Sequence, residues 1–197
     1  MDRDVITVVS GLPRSGTSMM MSMLEAGGVP ILTDNVRTAD EDNPKGYYEF
    51  ERVKQIEHDW AWLADAPGKA VKIISELLMR LPEAAPYRFK VIFMRRHMAE
   101  ILASQRQMLL RRGEPADAVS NEQLTLLFTK HLKRFDAWAA RQPNIAILYV
   151  SYNAMLEAPR DHAEQVNRFL GGGLDAEKMI AVVDKAFYRQ RNGAHGK

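Results

Sequence analysis

The stretch Val5-Ile6-Thr7-Val8-Val9-Ser10-Gly11-Leu12-Pro13-Arg14-Ser15-Gly16-Thr17-Ser18 constrains this chain more than any other. Its first half is apolar and β-branched, the pattern of a strand covered on both faces in a parallel sheet. It then breaks into a loop bounded by Gly11 and Gly16 and opens a helix. Gly11 to Ser18 has the frame of a phosphate-binding loop, G-x-x-x-x-G-K-S/T, with Thr17 where the lysine belongs. Such a loop turns successive backbone N–H groups inward, and the helix behind it adds a positive N-terminal end. The expected ligand is a phosphate or a similar oxyanion. The missing lysine would have reached the β- and γ-phosphates of a nucleoside triphosphate. Its absence points to a nucleotide with a different 5′ group, toward which Arg14 offers a planar fork of donors.

The rest of the chain reads as α/β. Strands are expected over 5–10, 69–75, 89–94 and 145–150, with a short strand or extended edge at 29–32. Helical spacing is expected over 18–26, 49–62, 98–112, 121–141, 159–170 and 175–185, and an exposed polar loop over 33–46. Strands alternating with helices imply a single P-loop-type domain spanning 1–197. Its central sheet should be mainly parallel, flanked by helices on both faces. Met19, Met20 and Met23 read as adaptable core packing.

Composition narrows the function classes. The chain has no cysteine, hence no disulfide framework and no thiol nucleophile. A net charge of +2 is too small to argue for a nucleic-acid partner, so any electropositive site must be local. No apolar run reaches the length of a membrane span, and Met1-Asp2-Arg3-Asp4 does not open a signal peptide. The expected location is therefore cytoplasmic, with no membrane partner. His97 and His131 stand at no metal-ligand spacing from other candidate ligands, so no metal site is expected.

A second segment, Val91-Ile-Phe-Met-Arg-Arg-His97, ends a predicted strand with Arg96, and Ser104 follows eight residues later. Ligands of open α/β sheets bind at the carboxyl ends of strands. Arg96 is thus expected at the same edge as the phosphate loop, where an arginine and a hydroxyl suit a second phosphate. The plainer reading makes Arg96 a surface ion-pair partner and Ser104 an ordinary helix residue.

Together these segments resemble the P-loop sulfotransferases that use 3′-phosphoadenosine 5′-phosphosulfate (PAPS), in a small bacterial-type form. Leu12 to Ser18 is similar to that family's loop for the 5′-phosphosulfate, and Arg96 with Ser104 to its pair for the 3′-phosphate. The family's usual Arg-Asp-Pro is Arg96-His97-Met98 here. Lys72 resembles a strand-end lysine of the family, and Arg191-Asn-Gly193-Ala-His-Gly196 loosely resembles its C-terminal phosphate loop. The resemblance runs from residue 5 to about 191, and only its first two motifs are specific. It implies that Arg14, Ser15, Gly16, Thr17, Ser18, Arg96, Ser104 and Arg191 bind PAPS as co-substrate.

A sulfuryl group carries less negative charge than a phosphoryl group, so its transfer needs less neutralisation and is expected to require no metal. Catalysis then rests on positioning and on charge stabilisation by Arg14, the Ser15–Ser18 segment and Lys72. The acceptor, a hydroxyl or an amine, needs a general base. The resemblance implies Asp34 first, Glu49 second and His58 third. Asp34 also reads as a helix cap or loop residue, Lys72 as structural, and Arg191 as part of a basic tail. Tyr47, Tyr48, Phe50, Trp60 and Trp62 suit either an acceptor pocket or the core. Two other classes stay open: a P-loop kinase or NTPase, and a nucleotide-binding module without chemistry.

Overall fold

The stretch that opens the chain does become a strand, β1 (Val5–Gly11), buried from Ile6 onward. In the computed structural model, which describes residues 4–34, 48–81, 86–116 and 118–183, β1 lies inside the sheet rather than at its edge. Its neighbours are β2 (Ala70–Lys72) on one side and β3 (Arg88–Arg95) on the other, and β4 (Ile145–Ser151) pairs beyond β3. Every pairing between these strands is parallel. The order β2-β1-β3-β4 makes the chain leave β1 in one direction and return past it in the other. That reversal opens a crevice at the carboxyl end of β1, where open α/β sheets place their ligands.

Strand alternation divides the core between the two faces. Ile6 and Val8 point to one face with Val71, Ile73, Phe89, Val91 and Phe93. Helix α4 (Asn121–Ala139) closes that face through Phe135, whose ring stacks on Phe93 at 4.3 Å. Val9, Ile92, Met94 and Val150 point to the other face. There they meet α1 (Thr17–Ala26), α6 (Pro159–Leu170) and α7 (Ala176–Val182), which contribute Met20, Met23, Val166 and Met179. The expected α/β architecture, with helices on both faces of a parallel sheet, is the one observed.

Two local expectations need correction, the extended edge at 29–32 is present, and one helix was not expected. Residues 49–62 form two short 3₁₀ turns, Glu51–Gln55 and Ala61–Asp65, instead of one helix. Asp59 breaks the run: its carboxylate accepts the Ala61 N–H and takes both ends of the Arg52 fork, while its carbonyl accepts from Trp62 Nε1. A side chain that bonds its own backbone competes with the helix ladder. The strand expected over 69–75 pairs only over Ala70–Lys72, and Ser75 already begins the single turn α2 (Ser75–Leu78). The edge at 29–32 is one bridge, Ile31 to Ala70. Helix α5 (Tyr152–Glu157) was not expected; Ser151 caps it by accepting the Ala154 N–H. Helix α3 (Met98–Arg111) follows β3 directly.

Candidate active site

Backbone geometry comes first in this site. Gly11 has φ +150°, and a Cβ there would stand 2.5 Å from Ser15 Oγ and 2.6 Å from the Met94 carbonyl oxygen. Gly16 has φ +100°, and a Cβ there would strike the Tyr152 ring at 2.3 Å. Only glycine fits either position. Arg14, between them, holds a left-handed φ of 67°, costly for a side-chain-bearing residue. The loop then feeds α1, whose N-cap Gly16 offers no side-chain cap and whose first turn carries no acid. Neither the N-cap residue nor an acid of the first turn answers the positive end of the helix. Ser15 Oγ, buried beneath it, makes no hydrogen bond among the described residues.

Lys72 reaches this loop from the end of β2. Its Nζ lies 3.5 Å from Ser18 Oγ and 3.8 Å from Glu49 Oε1, and its side chain is only 9% exposed. Glu49, 29% exposed, is fixed through its own carbonyl, which accepts the Thr33 hydroxyl at 2.8 Å. Asp34 Oδ2 accepts the Glu51 N–H at 2.6 Å, at the start of the first 3₁₀ turn. Tyr48 donates to Glu25 Oε2 at 2.6 Å, and burial first, then that carboxylate, holds its phenol above the ordinary tyrosine range. Trp62 is in the core and edge-on to Phe50, whereas Trp60 is exposed. Arg191 and Tyr47 lie outside the described residues.

Arg95 and Arg96 leave the end of β3 in different directions. Arg95 bonds both carboxylate oxygens of Asp136 and lies over the Tyr149 ring on the exposed side. Arg96 turns inward; its Nη1 donates to the Arg14 carbonyl at 3.1 Å and its guanidinium lies 4.5 Å from the Tyr152 ring centre. Ser104, on α3, bonds Arg14. It accepts from Arg14 Nε at 2.9 Å, so the β3–α3 unit grips Arg14 at both backbone and side chain. Ser104 and Arg96 both lie close to the loop that the sequence pointed to.

Residues 2–192 match the family model of the sulfotransferase domain. The chain belongs to the sulfotransferase family. Solved structures of similar fold include sulfotransferase STF1 from Mycobacterium tuberculosis H37Rv, at 15% identity and a TM-score of 0.55, covering 90% of this chain and 71% of that one. The sulfotransferase domain from the curacin biosynthetic pathway matches at 12% identity and TM-score 0.52, over 91% of this chain and 77% of that one. Retinol dehydratase, solved with androsterone and the inactive cofactor PAP, matches at 15% identity and TM-score 0.50. That match covers 93% of this chain but 64% of the dehydratase. A comparison with curated protein sequences gives no significant match. At such identities the likeness to solved structures is one of fold.

Sequence reading of this sulfotransferase missed three residues at the site. Tyr152 fills the space against Gly16, and Asn153 donates from Nδ2 to Glu100 Oε1 at 2.9 Å. Glu100 Oε2 accepts from Arg96 Nε at 2.9 Å. One signal marked part of this set: Tyr152 stands just beyond the carboxyl end of a strand, at the sheet edge where ligands bind.

A second polar cluster sits at the start of α2. Ser75 Oγ and His131 Nε2 are hydrogen-bonded at 2.7 Å, and His131 Nδ1 lies 3.1 Å from Glu76 Oε2. The spacing is that of a nucleophile, base and acid. Ser75, however, is only 1% exposed, so no substrate reaches its hydroxyl; the cluster fastens α4 to α2. Among the described residues no group of three or more His, Cys, Asp or Glu side chains is placed to hold a metal. No helix among them is long and apolar enough to cross a membrane.

Proposed function

We propose that this sulfotransferase domain moves a sulfuryl group from PAPS to a hydroxyl or amine acceptor without a metal. The carrying observation is the convergence of Arg14, Ser18 and Lys72 around an uncapped helix N-terminus, with Arg96 and Ser104 bound to Arg14. The co-substrate supplies the sulfuryl group and departs as 3′-phosphoadenosine 5′-phosphate. The amides at the start of α1 suit the 5′-phosphosulfate. Lys72 Nζ, beside Ser18, is placed to stabilise charge that develops on the leaving phosphate. A PAP-bound structure of similar fold supports the nucleotide assignment.

Glu49 is the carboxylate we assign as general base. It stands 3.8 Å from Lys72 at the mouth of the loop, whereas the Asp34 carboxylate is engaged with backbone. Glu49 would take the acceptor proton as the acceptor oxygen or nitrogen bonds to sulfur and the bond from sulfur to the 5′-phosphate oxygen breaks. Calorimetric titration with 3′-phosphoadenosine 5′-phosphate, ADP and GTP, each with and without Mg²⁺, tests the assignment. Metal-independent preference for the 3′-phosphorylated nucleotide is expected. Tighter, Mg²⁺-dependent triphosphate binding would sink it in favour of a kinase or NTPase.

A further inference from the structure

Glu100 and Arg96 form a pair buried almost completely, with side chains 8% and 9% exposed. Taking two charges out of water is costly, and a single ion pair repays it only where further hydrogen bonds satisfy both groups. Glu100 is held on both oxygens: Oε2 accepts from Arg96 Nε and Oε1 from Asn153 Nδ2. Asn153 Oδ1 in turn accepts the His97 N–H at 3.3 Å, locking the turn between β3 and α3. Arg96 is thereby pinned on its Nε edge, presents Nη1 to the Arg14 carbonyl, and stacks on the ring that packs against Gly16. The chain of contacts ends on two of the three positive-φ residues of the anion loop, Arg14 and Gly16.

We infer that Glu100 is a positioning residue. Secured by Asn153, it orients Arg96 so that Arg96 holds the Arg14 peptide left-handed and keeps the loop amides aimed at the 5′ group. The kinetic side of this inference rests on the PAPS reading above; the structural side does not. Arg96 then serves the 5′ end of the nucleotide as well as any 3′-phosphate, because its Nη1 bond goes to the loop itself.

The test compares wild type with Glu100→Gln, which keeps the shape but removes the charge and mismatches one of the two donors. Affinities are measured for 3′-phosphoadenosine 5′-phosphate and for adenosine 5′-phosphosulfate, which lacks the 3′-phosphate. Both should weaken by the same factor, about tenfold, in addition to a lowered melting temperature from the uncompensated buried Arg96 charge. Loss confined to the 3′-phosphorylated ligand would overturn the inference, as would lowered stability with unchanged affinities. Asn153→Ala should act in the same sense and replaces Glu100→Gln if that variant fails to fold. Backbone amide NMR of the ligand-free protein adds a readout independent of substrate: Ser15, Gly16 and Thr17 should shift while Val71 does not. A wild type that binds neither nucleotide would refute the PAPS reading, and the loop amides would still decide the role of Glu100.

Discussion

Asp34 and Glu49 flank the same polar segment, yet their carboxylates have different work. Asp34 accepts a backbone N–H from Glu51, and Glu49 faces Lys72 and the head of α1. Glu49→Gln should therefore lower turnover by about 10²–10⁴-fold with nucleotide affinity nearly unchanged, as loss of a general base does. Asp34→Ala should cost about 1 kcal/mol of stability through the lost hydrogen bond and leave turnover within a few-fold. Steady-state kinetics, nucleotide titration and thermal melts on the two variants check this, and the opposite pattern would return the base to Asp34. At this scale sequence was a partial guide. Glycines at the loop and an arginine ending a strand are local signatures. Which carboxylate turns toward Lys72, 23 and 38 residues further along, is set by packing that no local pattern records.

One imidazole joins α4 to α2. His131 bridges Ser75 and Glu76, and burial holds it below the ordinary histidine value of 6.5 despite the nearby Glu76 charge. The folded chain therefore resists protonation that the unfolded chain accepts. Stability contributed by neutral His131 is present above the ordinary value and is lost as pH falls from there toward the lower folded value. Melting temperatures taken from about pH 7.5 down to about pH 5.5 should fall in wild type and fall less steeply in His131→Gln. Equal slopes would show that the bridge does not carry the pH response. The sequence placed His131 on a helix and denied it a metal set; its hydroxyl partner 56 residues away was not legible. The two 3₁₀ turns over 51–65 have a similar cause, since apolar residues at helical spacing do not reveal that Asp59 will bond its own backbone.

At the scale of the whole molecule a single sheet is the shared wall of two cores, so the faces are expected to unfold together. Tryptophan fluorescence reports Trp62 and Trp138 on the α4 face, and far-ultraviolet circular dichroism reports helices on both faces. The two denaturant transitions should coincide, and Phe135→Ala should shift both by about 3–5 kcal/mol. Separated midpoints would divide the chain into two folding units. The strand, glycine-bounded turn and helix at the N-terminus, and the alternation that makes the chain α/β, were determined by sequence alone. These features depend on neighbours in the chain: side-chain period, β-branching, and the need for glycine at positive φ. The strand order β2-β1-β3-β4 belongs to tertiary structure, and so do the bonds that bring Ser104 and Arg96 onto Arg14 across 90 and 82 residues. Those contacts exist because β1 and β3 are adjacent and in register, from Val5 opposite Arg88 to Gly11 opposite Met94. Register over such separations is fixed by how both cores pack against the sheet, a property of the assembled fold and of no segment within it.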